Sequence, residues 1–179
     1  LETMARYWLH NGFVDMRGQK MSKSIGNVLR LDEALAAVPG EAIRLWMLGA
    51  HYRAPIDCSE QGFEDAKTQL DRFYGALERA GDAPEAAAEP AVVEALADDL
   101  NTPRALAVLH DLLGQLNRAK HDTAPSIAAR LKASAALLGL LQQAPGDWLR
   151  GDSTGSDAAI ESLIEERLAA RKAKDFARA

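Results

Sequence analysis

The longest regular pattern in the sequence is Ser59–Ala80, SEQGFEDAKTQLDRFYGALERA. Its apolar residues recur at steps of three and four, which is the spacing of one face of an α-helix. This periodicity predicts one long helix with a single buried stripe. The stripe consists of Phe63, Ala66, Leu70, Phe73 and Leu77.

Helical patterns flank this stretch on both sides. The expected helices cover, in chain order, an opening segment that Gly12 ends, residues 32–38, 41–50, 59–80, a short segment ending near 97, then 103–120, 126–142 and 157 onward. In the helix at residues 32–38, Leu31, Leu35 and Val38 are expected to form the apolar side. Thr102 is expected to cap the helix that starts at Pro103, because proline costs nothing at a first helical position. The later helices predict an antiparallel bundle.

Three segments break the helical pattern. FVDMRGQKM, residues 13–21, predicts a short β-hairpin that turns near Arg17 and Gly18. HYRAPIDC, residues 51–58, is expected to be a loop, and residues 144–158 a flexible connection. The fold class is therefore mainly α, with one hairpin. The expected domains are residues 1–30, a helical region 31–80, a linker 81–90 and a helical bundle 91–179.

Composition limits the class of protein. The 179 residues are 47% hydrophobic and 26% charged, with a formal net charge of −5. That charge argues against a protein that coats nucleic acid by charge alone, although a local basic site remains compatible with it. One cysteine excludes an internal disulfide and favours a reducing compartment. With no long apolar run and no signal peptide, we expect a cytoplasmic protein that binds no membrane.

The polar stretch GQKMSKSIGN, residues 18–27, is the strongest candidate for a functional site. Lys20 and Lys23 alternate with Ser22 and Ser24, and Gly26 relaxes the backbone. Ammonium groups neutralise phosphate charge, and hydroxyls and amides donate hydrogen bonds to phosphate oxygens. On these grounds alone, a polyphosphate site and an ordinary solvated surface loop are about equally supported.

The order of the residues in this motif gives further information about its function. KMSKS directly after a hairpin resembles the signature loop of class I aminoacyl-tRNA synthetases, which surrounds the ATP triphosphate. Four longer stretches, at residues 6–27, 43–60, 70–77 and 98–112, resemble the cysteinyl-tRNA synthetases in particular. The resemblance covers nearly the whole chain and implies a C-terminal fragment that begins just before the KMSKS loop. Cys58 departs from it, since an aromatic residue is more usual there, but this affects nothing catalytic.

The resemblance implies a function and a set of residue roles. The full enzyme would activate cysteine with ATP and Mg, and then esterify tRNA(Cys). Lys20 and Lys23 would bind the triphosphate, with Lys23 contributing more, and Ser22 and Ser24 would support them by hydrogen bonds. Met21 would seat the loop in an apolar notch beside the nucleotide. Gly26 and Asn27 would shape the turn. Residues 31–80 would correspond to the stem-contact region and 91–179 to a DALR-like bundle.

The resemblance also implies a zinc ion and a HIGH element, and neither is evident in this sequence. The histidines and the cysteine show no paired ligand spacing, so no metal ligand is assigned and they are expected to be ordinary helix-face or loop residues. These residues are His10, His51, His110, His121 and Cys58. The zinc ligands are expected before Leu1, and the isolated chain is expected to be inactive and monomeric.

Several alternatives stay open at this stage. Two interpretations are equally supported for His51, Tyr52 and Arg53. These residues could contact the acceptor side of tRNA, or they could join their loop to neighbouring helices. Helix-start chemistry is the favoured interpretation for Asp99, Asn101 and Thr102. The last residues form a basic end, for which RNA contact and a solvated helix face are both open interpretations. This end comprises Arg171, Lys172, Lys174 and Arg178. The rival functions are a mycothiol-type cysteine ligase and a non-catalytic helical module that binds RNA or protein. DNA is not an expected partner.

Overall fold

The computed structural model describes residues 4–16, 18–22 and 24–151, together with 162, 164 and 167. Within these residues the chain is mainly α-helical with one small sheet, as predicted. The helix predicted before Gly12 is wrong over the described residues 4–11, which lie in no helix or strand. The elements are β1 Val14–Met16, β2 Gln19–Lys20, α1 Leu31–Ala37, α2 Gly40–Leu48, β3 Ile56–Asp57, α3 Glu60–Ala80, α4 Pro90–Ala97, α5 Thr102–Arg118, α6 Ala124–Ala136 and α7 Pro145–Arg150. No helix among the described residues has the length and apolarity needed to cross a membrane.

Helix α3 is the centre of the hydrophobic core. All five residues of the predicted stripe are buried, and Leu70 is completely so. Helices α2, α5 and α7 pack around this helix, so each apolar position meets another element instead of water. The Ser59 hydroxyl accepts a hydrogen bond from Gly62 N at 3.1 Å and thereby caps the first turn. The prediction from periodicity is confirmed.

Helix α5 begins one residue earlier than predicted, and its cap is a different residue. The side chain of Asn101 accepts a hydrogen bond from Arg104 N at 3.1 Å, so Asn101 is the N-cap. The prediction that Thr102 caps this helix is therefore wrong. Asparagine caps at least as well as threonine, and the shift leaves the Thr102 hydroxyl 3.5 Å from the carbonyl oxygen of Ala50.

Helix α6 ends at Ala136, six residues before the predicted end at Gln142. Gly139 has φ +66°, a left-handed conformation that glycine adopts without strain. The amide of Leu140 donates to the carbonyl oxygen of Ala135 at 3.0 Å, which closes the helix end. The chain then turns back over α2 and α3.

The returning segment is fixed by a buried polar network. Glu41 accepts hydrogen bonds from the Tyr74 hydroxyl at 2.8 Å and from the amide of Leu141 at 2.6 Å. The Tyr74 side chain is completely buried, and this burial raises the pKa of its hydroxyl group. The network joins α2, α3 and the residues after α6 into one unit.

The predicted flexible connection at residues 144–158 contains helix α7, so this prediction is wrong over residues 145–150. Trp148 is 8% exposed, stacks on Tyr74 at a centroid distance of 4.6 Å, and donates from Nε1 to Asp71 at 2.8 Å. Burial of one large aromatic side chain is sufficient to hold a short helix against α3. Residues 152–158, nearly all of the final helix predicted from Asp157 and the whole basic end lie outside the described residues.

Helix α1 shows that two apolar positions were assigned to the wrong face. Leu31 is 66% exposed and Leu35 is 50% exposed, whereas Ala34 and Val38 are buried. Residues spaced by four lie on the same face of a helix. Leu31 and Leu35 share one face, which is open to solvent, whereas Ala34 and Val38, the residue that follows the helix, face the core.

The sheet has the order β2-β1-β3. Strands β1 and β2 form the predicted antiparallel hairpin, with Asp15 opposite Lys20. Strand β3 pairs in parallel with β1, with Val14 opposite Ile56. The prediction of a loop over residues 51–58 therefore missed this two-residue strand. Its consequence is that the hairpin is joined to the start of α3.

Candidate functional site: the lysine loop

Lys20 lies at the end of a strand, where its backbone is fixed. It is the last residue of β2 and pairs with Asp15 of β1. The next amide, that of Met21, donates to the carbonyl oxygen of Val14 at 3.0 Å and extends the ladder. The exposed Lys20 side chain therefore projects from a rigid base.

Asn27 closes the loop that follows. Its Oδ1 accepts a hydrogen bond from Ser22 N at 2.9 Å, and its Nδ2 donates to the carbonyl oxygen of Lys20 at 3.3 Å. Gly26 has φ +74°, which a side chain would strain. The conformational roles predicted for Gly26 and Asn27 are confirmed.

The two serine hydroxyls face each other at the tip of the loop. Ser22 Oγ and Ser24 Oγ are 2.9 Å apart, so one donates to the other and further donor and acceptor capacity remains. Lys23, which stands between them in the sequence, lies outside the described residues. The structure thus places four of the five predicted site residues in one loop and does not describe Lys23.

Met21 is the apolar anchor of the loop. It is half-buried and packs against the hydrophobic core, which confirms the predicted notch. Ile25, by contrast, is 61% exposed and anchors nothing. One buried side chain and a few polar contacts therefore hold the described part of the loop.

Sequence reasoning missed one neighbour of the site. The ring of Phe13 lies under the Lys20 side chain, with Nζ 3.7 Å from the ring centroid. A signal for this contact exists in the sequence. If Asp15 pairs with Lys20, the residue two positions before Asp15 is a diagonal neighbour of the lysine on the same face.

A second polar cluster joins residues 51–53 to the turn before α5. Asp99 accepts hydrogen bonds from the Tyr52 hydroxyl at 2.6 Å and from Arg53 Nε at 2.7 Å. His51 stacks on Tyr52 at 4.9 Å, and its Nε2 lies 3.9 Å from the Asp99 carboxylate. We call these four residues the Asp99 clamp.

The Asp99 clamp bears on one open question and corrects one prediction. The structure shows that His51, Tyr52 and Arg53 join their loop to the turn before α5, and their contact with the acceptor side of tRNA stays a prediction. Asp99 does not cap a helix; it has φ +52° and directs its carboxylate to the opposite loop. Hydrogen bonds from Arg53 and Tyr52 lower the pKa of Asp99 to about 2.

The histidines and the cysteine do not converge on a metal site. Within the described residues, no three side chains of His, Cys, Asp or Glu come together as a ligand set. His110 contacts Gln69 at 3.1 Å and packs on Phe73. Cys58 is buried, and desolvation raises the pKa of its thiol. The described part of the chain therefore does not fit the zinc site that the resemblance implies.

Two family models match the chain. Residues 2–68 match the catalytic domain of class I (C) tRNA synthetases, and residues 91–142 match the DALR domain. The first match includes the hairpin, the lysine loop and the start of α3; the second includes α4, α5 and α6. The chain is therefore similar to the catalytic domain of class I (C) tRNA synthetases over residues 2–68, and to the DALR domain over residues 91–142.

Curated relatives narrow this class. The chain is 52% identical to the cysteine–tRNA ligase of Parvibaculum lavamentivorans over 98% of its own length and 39% of the relative. It is 52% identical to the ligase of Rhodospirillum rubrum, and 50% identical to that of Xanthomonas campestris, covering 40% and 39% of these proteins. The chain thus matches the C-terminal part of cysteine–tRNA ligases and spans about 40% of the length of these relatives.

Proposed function

We propose that this chain is the C-terminal part of a cysteine–tRNA ligase, which activates cysteine with ATP and transfers it to tRNA(Cys) in the cytoplasm. The observation that carries the proposal is the lysine loop. A lysine whose backbone is paired at a strand end is followed, in the same loop, by two serines whose hydroxyls face each other, in a chain whose relatives over nearly its whole length are cysteine–tRNA ligases.

The reaction needs charge stabilisation at the phosphates. The cysteine carboxylate attacks the α-phosphorus of ATP, and pyrophosphate leaves as cysteinyl-adenylate forms. Negative charge grows on the departing pyrophosphate, and cationic groups aimed at it lower the barrier. Mg bound to ATP would supply further neutralisation. A hydroxyl of the terminal adenosine of the tRNA then attacks the carbonyl carbon of cysteinyl-adenylate, so that an ester bond forms, the acyl–phosphate bond breaks and AMP leaves.

The loop residues have different roles in this charge stabilisation. Lys20, on its fixed strand, binds the triphosphate before and during reaction, whereas Lys23 acts mainly on the departing pyrophosphate. Ser22 and Ser24 donate hydrogen bonds to phosphate oxygens. Met21 seats the loop, and Asn27 keeps its two ends together.

The remaining parts are assigned to tRNA. Residues 31–80 form the stem-contact region, residues 81–90 the linker and residues 91–179 the tRNA-binding bundle. The match of residues 91–142 to the DALR domain supports the last assignment. A monomer is sufficient for this arrangement, because one chain would carry both the loop and the bundle.

The test uses the protein encoded by the complete open reading frame that contains residues 1–179, called the complete protein below. We expect cysteine-dependent exchange between ATP and pyrophosphate, and charging of tRNA(Cys). Exchange without tRNA charging, with transfer of cysteine to an aminosugar, would instead identify a mycothiol-type ligase. RNA or protein binding with no exchange would identify a non-catalytic module.

A further inference from the structure

The contact between Phe13 and Lys20 has no role in the assignments above. We propose that Phe13 is a positioning residue that holds the Lys20 ammonium group ready for the ATP triphosphate. The inference rests on the proposed function for its ligand, but the contact itself is independent of it. The Phe13 ring is 59% exposed, and Lys20 Nζ lies 3.7 Å from its centroid. This distance is within the range of cation–π attraction.

The backbone on the Phe13 side of the contact is fixed. The carbonyl oxygen of Phe13 accepts a hydrogen bond from Ile56 N at 3.0 Å. The preceding amide, Gly12 N, donates to the carbonyl oxygen of Tyr52 at 2.6 Å. A Cβ at Gly12 would lie 2.0 Å from the Ala54 carbonyl oxygen, so only glycine fits this close approach. The ring therefore stands on a backbone held from both sides.

The Lys20 side is fixed as well, by its pairing with β1 and by Asn27. The contact thus connects two rigid strands and reduces the rotamer freedom of a long, exposed side chain. Ordering a lysine costs conformational entropy. If contact with the ring already restricts the lysine before ATP binds, less conformational entropy is lost on binding, and triphosphate binding becomes more favourable.

An aromatic ring suits this purpose better than a carboxylate. No ion pair joins Lys20 to a carboxylate in the part of the chain that the structure describes, although Asp15 is its strand partner. A ring attracts a cation without accepting its charge, and it covers one side of the ammonium group only. The remaining N–H groups stay available to donate to phosphate oxygens.

The first test examines the contact in the 179-residue chain. The ring current of Phe13 should displace the NMR signals of the Lys20 ε-methylene protons from their random-coil positions. Phe13→Leu should abolish this displacement, and Phe13→Tyr should keep it. Tyr7→Leu is the matched control, because Tyr7 is also an exposed aromatic residue of the N-terminal segment, and it should change nothing. An unchanged Lys20 signal in Phe13→Leu would overturn the proposal.

The second test examines the role in the complete protein. Phe13→Leu should raise the KM for ATP in the exchange reaction about two- to five-fold, which is the effect of one exposed cation–π contact. The KM for cysteine and the kcat should stay near the wild-type values, and Phe13→Tyr or Phe13→Trp should restore the KM for ATP. A merely structural role would instead lower stability without this selective change.

The outcomes separate the two proposals. If wild-type protein shows no cysteine-dependent exchange, the proposed function fails, while the NMR result still decides whether the ring holds the lysine. If exchange occurs and Phe13→Leu loses the NMR displacement without raising the KM for ATP, the positioning role is wrong. Circular dichroism of each variant verifies that the fold is retained.

Discussion

The lysine loop and the helical bundle show two ways of holding a chain in place. In the bundle, Leu109, Leu112 and Leu131 lose essentially all contact with water. In the loop, one half-buried methionine and the side chain of Asn27 do most of the holding. Burial stabilises a permanent shape, whereas a surface with free donors is needed to meet an anion. The bundle therefore provides a rigid frame, and the loop provides an adaptable surface for contact with an anion.

The largest expected difference between the two regions is in amide hydrogen exchange. Core amides such as those of Leu109 and Leu112 should exchange only through global unfolding, which costs about 5–15 kcal/mol in typical domains. The amides of Ser22 and Ile25 rest on single local hydrogen bonds and should open at far lower cost. Exchange followed by NMR on the chain measures both. Equal protection would show a rigid loop and remove the contrast.

A second prediction concerns the bundle alone. Trp148→Ala should lower the free energy of unfolding by about 3–5 kcal/mol, because it leaves a cavity against Tyr74 and removes one of the hydrogen bonds that Asp71 accepts. Urea unfolding of the chain measures this loss. Leu149→Ala is the control: Leu149 is 49% exposed, and the change should stay within about 0.5 kcal/mol. Similar losses in both variants would mean that α7 is not anchored by Trp148.

A smaller effect is expected at the Asp99 clamp, which joins residues 51–53 to the turn before α5. The folded-state pKa of Asp99 is lowered to about 2, below the unfolded value of about 3.9. Its stabilising contribution is therefore fully present above about pH 4 and is lost as the pH falls through about 2. Asp99→Asn should be less stable than wild type at neutral pH, since asparagine keeps the left-handed backbone but loses the charge.

The pH dependence of that difference is the measurement. Thermal unfolding of both proteins between pH 7 and about pH 2 should show the gap closing only below about pH 4. Asp98→Asn serves as the control, because Asp98 contacts Arg104 at the longer distance of 3.5 Å. A gap that is constant over this range would show that the Asp99 charge contributes nothing.

Local signals predicted some elements well and others not at all. The stripe of α3 was readable because apolar residues repeat over many turns, and the motif of the lysine loop was readable because its residue types are specific. Strand β3 has two residues, too few for any period, and exists because β1 offers it a partner. The pairing of Asp99 with Arg53 spans 46 residues, so no local pattern encodes it.

Two further misses have different physical causes. Helix α7 was not predicted, because its glycine and proline indicated a loop. Burial of Trp148 nevertheless stabilises the helix. The contact of Phe13 with Lys20 follows from strand register, which the hairpin prediction left unspecified. Interactions between segments distant in sequence thus account for most of what sequence patterns missed.

The most direct test of the lysine loop as the ATP site is cysteine-dependent exchange by Lys20→Ala and Lys23→Ala variants of the complete protein. Lys23→Ala should lower kcat by roughly two to three decades, as does loss of one charged contact to a transition state, with little change in the KM for ATP. Lys20→Ala should mainly raise the KM for ATP. If turnover stays intact in Lys23→Ala and only the KM for ATP rises, the loop binds the ground state and the assignment of Lys23 to the departing pyrophosphate is wrong.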